Sequence, residues 1–197
     1  NEFALHAEHL GIDINPIIEA SNSQPFSHVH NPGIAVGGHC IPVYPKFYLS
    51  TDSEATLPAS SIAVNESMPK RAVHRLFGSG KDALAGKKVV VLGAAYRNGV
   101  KETAFSGVFP LVEEIERLGG TAVVHDPLYS DEELLTLGLT GFQLGSDCDA
   151  AIVQTDHEIY MDLTSSDLLG AEIIFDGRGI VDNAKLSPIK VIVLGVG

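Results

Sequence analysis

The 197 residues carry 13 Lys and Arg against 25 Asp and Glu, a net charge of −12 with His neutral, and are 45% hydrophobic and 19% charged. That balance belongs to a globular protein with a sizeable core, and it excludes a general affinity for nucleic acid or for anionic membrane surfaces, both of which need basic patches. No run approaches the roughly 18 apolar residues of a membrane span, and no basic stretch precedes an apolar signal core, so a cytoplasmic protein is expected. With only Cys40 and Cys148, in unrelated contexts, no disulfide framework is expected either.

Along the chain, Phe3, Leu5, Ala7 and Leu10 suit a helix ended by Gly11, and Asp13 caps a second short helix, "INPIIEASN". The loop "NPGIAVGGHCIPVYPKFYL" (Asn31 to Leu49) follows. It is too apolar for a linker and too long for an ordinary connection. Pro58 suits the first turn of the next helix, in which Pro69 is expected to cause a kink or a break. "GSGKDALAGK" reads as a linker, which divides the chain into a helical region over 1–85 and an α/β region over 86–197.

In the second region strands "KVVVLG", "TAVVHDP", "DAAIVQT", "AEIIFDG" and "KVIVLG" alternate with helices around "SGVFPLVEEIERLGG" and "SDEELLTLG". Continuous rather than alternating Val/Ile runs predict a parallel sheet covered on both faces, a doubly wound α/β fold. Ligands in such folds lie beyond the carboxyl ends of the strands. That directs attention to Gly93–Arg97, His125–Pro127, Thr155–His157 and Asp176–Arg178.

The segment "GAAYRNGVKET" opens like a nucleotide-binding unit but lacks GxGxxG. Arg97 there, joined by Arg178 of "FDGRG", is either a grip for phosphate or a surface charge. Asp126 stands where an acidic residue reads a ribose in dinucleotide enzymes, or else caps a strand end; Asp156 reads as a helix N-cap or as a ligand contact. Cys40, preceded by Gly37, Gly38 and His39, sits where backbone approaches a ligand closely, and it reads as a nucleophile rather than a buried structural thiol. Cys148 reads as structural. His28, His30, His39 and Cys40 are close in sequence, but their spacing is not that of a structural zinc site, and no metal is expected.

Taken together, "PGIAVGGHCIPVYPKFYL", "VNESMP", "VLGAAYRNGVKET", "VVHDP" and "FDGR" resemble the UDP-glucose/UDP-N-acetylmannosamine/GDP-mannose dehydrogenase family, whose cysteine loop reads P-G-x-G-V-G-G-H-C-I-P-V-D-P. The resemblance implies a central helical dimerisation region followed by a Rossmann-like UDP-binding domain. An N-terminal NAD-binding domain and the family's catalytic Lys and Asn, which lie upstream of Asn1, are expected to be absent from this chain. The implied chemistry is oxidation of a sugar C6 alcohol to a carboxylate with NAD, through a thiohemiacetal and thioester on Cys40. By the same resemblance Gly37, Gly38, His39, Tyr96, Arg97 and Arg178 bind the nucleotide sugar. His39 points to an N-acetylated UDP-hexosamine, the helices to a homodimer, and the whole to polysaccharide precursors.

Three departures stand out. Tyr44 replaces the family's Asp, Ala35 a loop glycine, and "KETAFSG" the pattern D-D-T-R-E-S-P, with Lys101, Glu102 and Ala104 as the changed residues. Tyr44 favours an alternative reading, a non-catalytic nucleotide-sugar-binding or dimerisation module.

Overall fold

The computed structural model describes residues 1–197. Four helices come first: α1 (Glu2–Leu10), α2 (Asn15–Asn22), α3 (Tyr44–Thr51) and α4 (Thr56–Phe77). Two differ from expectation. The last part of the apolar loop is helical, because Pro45 sits in the first turn of α3, where its missing N–H costs nothing. The longer helix α4 runs without a break through Pro69. The lost hydrogen bond is offset there by burial, since Met68, Pro69, Ala72, Val73 and Leu76 all lie on the buried face.

The α/β region follows as β1 (Lys88–Leu92), α5 (Val108–Arg117), β2 (Thr121–His125), α6 (Asp131–Thr136), β3 (Ser146–Asp147), β4 (Ala150–Val153), β5 (Leu168–Leu169), β6 (Ile173–Asp176), α7 (Asn183–Leu186) and β7 (Lys190–Val193). Helix α6 starts with a capping box, Ser130 and Glu133 each bonding the other's backbone N–H. The main sheet is parallel throughout, in the order β2-β1-β4-β6-β7; β3 and β5 pair separately. Winding reverses between β1 and β4, which makes that crevice the switch point of a doubly wound fold. The register sets Leu92 level with His125 and Val153, Val153 with Asp176, and Asp176 with Val193. The strands therefore end along one straight rim.

Successive strand residues face opposite sides. Val89, Val91, Val124, Ile152 and Phe175 pack beneath α4 and α5, while Val90, Leu92, Val153 and Ile174 pack against Phe142, Tyr160, Leu163 and Leu186. The first of these clusters also takes in Ala4 and Ala7 of α1 and Ile34 of the apolar loop. A helix of the first 85 residues is thus a roof over the sheet of the rest. Each aliphatic side chain so buried contributes about 1.5–3 kcal/mol.

A charged tie crosses the roof. Glu114 of α5 accepts from both Arg117 Nε and Nη2 at 2.6 Å and lies 2.5 Å from His74 Nε2 of α4. Hydrogen bonding from Arg117 outweighs the opposing effect of burial, and with His74 it brings the Glu114 carboxyl from its usual 4.5 to about 2. At the far end, Ile14 N–H donates to the Gly195 carbonyl at 2.9 Å, and Gly195 N–H to Glu8 Oε1 at 2.9 Å, so that α1 and α2 are bound to the strand end of β7. No helix is long and apolar enough to cross a membrane.

Candidate active site on the carboxyl rim

The turn after β1 is fastened almost residue by residue. Gly93 takes φ 108°, and a Cβ there would collide with the Thr155 side chain, so no other residue fits. The N–H groups of Ala94 and Ala95 both donate to Asp126 Oδ2, at 2.8 and 2.9 Å, and Leu128 N–H donates to Oδ1 at 2.8 Å. Thr155 Oγ1 and Gln154 Nε2 donate to the Ala95 carbonyl at 2.5 and 3.1 Å. Tyr96 N–H meets the Glu102 carbonyl, and Asn98 N–H meets Asp156 Oδ1. His157, itself buried, lies 3.2 Å from Asp126 and 3.3 Å from Asn98 Oδ1. Burial alone would raise the Asp126 carboxyl; bonds from His157, Ala95 and Leu128 outweigh it and hold the group below the usual carboxylate range.

Asp126 is therefore a cap on backbone, of the two readings its position allowed. It also explains the missing glycine fingerprint. In a dinucleotide unit the amides after β1 meet a pyrophosphate at the start of a helix; here a carboxylate of the protein meets them, and the next helix does not begin until Val108. Asp156 serves the Asn98 amide instead of capping a helix.

What the turn leaves outward are Tyr96 and Arg97, with the guanidinium 5.7 Å from the Tyr96 ring centre. On the same rim, the buried Asp176 carboxylate accepts four N–H groups, from Arg178, Gly179, Ile180 and Val181, at 2.7–2.9 Å. Arg178 Nε donates to the Gln154 carbonyl at 2.7 Å. Burial lowers the pKa of this guanidinium, against the opposite pull of Asp156 and Asp176.

The cysteine loop lies across that rim. Ile34 is fully buried and fills the space beside Gly107 and Gly177. Asn65 of α4 clamps Val36, accepting its N–H at 2.8 Å and donating to its carbonyl at 3.3 Å. Gly38 N–H donates to the Ala104 carbonyl at 2.7 Å. A Cβ on Gly37 would come within 2.5 Å of Tyr96 Cβ and 2.9 Å of the Phe105 carbonyl, so the close approach that demands glycine here is to the Tyr96 turn. At Gly33, a Cβ would come within 2.7 Å of Arg178 Nη1.

Cys40 is exposed, and its carbonyl accepts from Val43 and Tyr44 at 3.2 and 2.9 Å as α3 begins. One helical turn on, the Tyr44 phenol lies beside the thiol. Hydrogen bonding to Cys40, then the charge of Cys40, push the phenol above its usual range. His39 turns away to Glu102, 3.5 Å from Oε2. The Ala104 N–H first, then His39 and the Thr103 N–H, hold the Glu102 carboxyl below its usual range. Beyond Cys40 an open groove of about 700 Å³ runs between the loop, α3 and α4, lined by Ile41, Pro42, Leu57, Phe105 and Phe109 among others.

Of the residues singled out, Gly37, Gly38, Tyr96, Arg97 and Arg178 come to one rim, with the loop carrying His39 and Cys40 stapled over it. Cys148 is buried, its thiol pushed up to about 11 by burial first and by Asp149 second. His28 and His30 stack edge to face at 5.1 Å, and no group of three His, Cys, Asp or Glu is placed to hold a metal ion. Sequence reasoning gave Asn65, Glu102 and Gln154 no part here, and it marked His157 only as one of the stretch Thr155–His157, without a role. The recurrence of "VNESMP" as a family motif was the available signal for Asn65.

Two models of the UDP-glucose/GDP-mannose dehydrogenase family match in order, the central domain over residues 1–68 and the UDP binding domain over residues 90–183. This chain belongs to that family. Among relatives, UDP-N-acetyl-D-mannosamine dehydrogenase of Pyrococcus horikoshii is 32% identical over 205 residues, covering 100% of this chain and 47% of the relative. The enzyme of the same name from Methanococcus maripaludis is 28% identical over 206 residues, covering 100% and 48%. The solved structure of the Pyrococcus horikoshii UDP-D-ManNAc dehydrogenase superposes with a TM-score of 0.79 at 29% identity, over 100% of this chain and 47% of that one. Within the dehydrogenase family, then, the chain spans about half the length of the curated relatives it matches.

Proposed function

We propose that these residues are the cysteine-bearing and UDP-binding part of an NAD-dependent UDP-sugar 6-dehydrogenase, acting on a UDP-N-acetylhexosamine destined for polysaccharide. The observation that carries this reading is the staple of the Cys40 loop to the rim, through Gly38 and Ala104 and through Gly37 against Tyr96. It supports the reading by fastening the loop of the exposed Cys40 to the turn that carries Tyr96 and Arg97. In this reading Tyr96 and Arg97 meet the nucleotide, Arg178 meets the substrate's polar groups, and Gly37, Gly38 and His39 border the sugar. The relatives' names and His39 favour the N-acetylated sugar.

Cys40 contributes covalent chemistry. Its thiolate adds to the C6 aldehyde carbon, the carbonyl π pair moves to oxygen, and that oxygen takes a proton to give a thiohemiacetal. Loss of the hydroxyl proton and of a hydride from that carbon, for which NAD would be the acceptor, gives the thioester; water then adds to its carbonyl carbon, expels the thiolate and loses its protons, releasing the carboxylate. NAD itself does not fit these residues: the turn after β1 has no glycine fingerprint, and its amides are taken by Asp126. The cofactor is assigned to another part of the whole enzyme. A homodimer through the central helices is part of the proposal, supported by exposed Leu57 of α4 and by exposed Phe47 and Tyr48 of α3.

In the enzyme expressed at its full natural length, Cys40→Ala is expected to abolish uronate formation while UDP-sugar binding, measured by calorimetry, persists. Uronate made at the wild-type rate overturns the covalent role. Tyr44, in place of the family's Asp and beside the thiol, favours a second reading, a non-catalytic binding module. A full-length protein that binds the UDP-sugar but reduces no NAD supports that second reading.

A further inference from the structure

We infer that Asp126 and His157 are positioning residues for nucleotide binding: a buried carboxylate–imidazole pair that presets the turn presenting Tyr96 and Arg97. The inference rests on the reading that Tyr96 and Arg97 touch the nucleotide.

In a dinucleotide-binding unit the amides after the first strand are donors for the ligand's phosphate. Here the protein supplies the anion. Asp126, fully buried at the end of β2, satisfies Ala94 and Ala95 from below, so the turn is shaped without a ligand and cannot lend those amides to one. A nucleotide on this rim must be held by side chains, of which Tyr96 and Arg97 are what the turn offers.

His157 completes the device. Its ring arrives from the end of β4, with Nε2 on Asp126, which fixes the start of the turn, and Nδ1 on Asn98, which ends it. Asp156, its neighbour, takes the Asn98 N–H. Arg97 is thus bracketed on both sides by groups tied to one buried pair. Buried polar pairs are poor sources of stability compared with apolar packing, so a pair kept here has its best use in fixing one geometry. The same turn is also the bearing surface for the cysteine loop, since Gly37 and Gly38 rest on Tyr96. The pair therefore sets the nucleotide grip and the floor of the loop that carries Cys40 at once.

Two readouts on the 197-residue protein test this, with UDP as the probe. Amide hydrogen exchange needs no ligand: His157→Gln is expected to speed exchange at Ala94, Ala95 and Asn98, and unchanged exchange overturns the positioning role. Calorimetry gives the second readout: His157→Gln weakens UDP binding about tenfold, a size typical of coupling within one network. That loss is expected to vanish in an Arg97→Ala background. If the two substitutions weaken binding independently, their fold-changes multiplying, the pair does not act through Arg97 and the inference falls. If Arg97→Ala alone binds UDP like the wild type, it is the nucleotide reading of Arg97 that fails, while exchange still decides whether the pair holds the turn. Asn98→Ala, at an exposed residue, cuts the same tie without disturbing the buried pair. It is expected to weaken UDP binding in the same direction, again only with Arg97 present, and wild-type binding in it counts against the inference.

Discussion

The rim turn and the cysteine loop, which touch each other, are held in opposite ways. In the turn, the N–H groups of Ala94, Ala95, Tyr96 and Asn98 are all engaged, the first two by the buried Asp126, and the neighbouring Asp176 loop is bonded fourfold to one carboxylate. The cysteine loop hangs from a few fixings: Ile34, the Asn65 clamp and the Gly38 staple, after which Ile41, Tyr44 and Phe47 face solvent. The difference separates two requirements. A surface that grips a charged ligand gains from being preset, because ordering it on binding costs affinity. On the proposed reading, a nucleophile that must meet a sugar, change partner and let a product go gains from a lightly fastened loop.

The sharpest way to break this contrast is at its one strong fixing. Ile34→Ala empties a fully buried site and is expected to cost about 2–5 kcal/mol in urea unfolding. Thermolysin should then cut within residues 31–43 well before the sheet region. Even cleavage across the chain would mean that the loop is no more loosely held than the rim. Next in size is Glu114→Gln, under the rim, at about 1.5–3 kcal/mol for charge-assisted bonds to Arg117 and His74. Since folding depresses this carboxyl from 4.5 to about 2, its contribution is complete above pH 4.5 and is lost as the pH falls toward 2. Urea midpoints for wild type and variant should therefore converge across that window; curves that stay parallel would deny Glu114 the role.

A smaller effect is expected for Asn65→Ala, about 1 kcal/mol for the lost bonds to Val36. Thermolysin cleavage of the cysteine loop should quicken while amide exchange at Ala94 and Ala95 stays as it was. If the rim amides speed up as well, loop and rim are one unit. The smallest change in stability is that of Tyr44→Phe, within about 0.5 kcal/mol for an exposed side chain. Its readout is chemical: iodoacetamide should alkylate Cys40 more slowly without the phenol beside the sulfur, with Cys148 shielded by burial. An unchanged rate would show that the phenol is only a neighbour.

The unbroken Val and Ile runs of β1, β2, β4 and β6 announced a parallel sheet because burial on both faces leaves no room for alternation. Parallel register then brings strand ends together whatever lies between them, which is why Arg97 and Arg178, distant in sequence, share a rim. Contacts across strands were beyond a one-dimensional reading. Nothing near Asp126 in sequence says that its partners are the amides of Ala94 and Ala95, or that His157 arrives from a third strand. Pro69 misled in a different way. Local chemistry argues for a break, and packing of α4 on the sheet overrides it. The glycines before Cys40 read as a close approach to a ligand, and only the fold could say that Tyr96 is packed against them.

Pro69 has one more effect. Because its ring nitrogen carries no hydrogen, the main-chain carbonyl one turn earlier, that of Asn65, has no donor within the helix. The weakest link in the ladder of α4 is thus at the residue whose side chain clamps Val36. A load on the first half of that helix, where Leu57 is exposed, is expected to act first at this point, beside the tether of the cysteine loop. The clamp on the cysteine loop and the break in the ladder of α4 thus fall on a single asparagine.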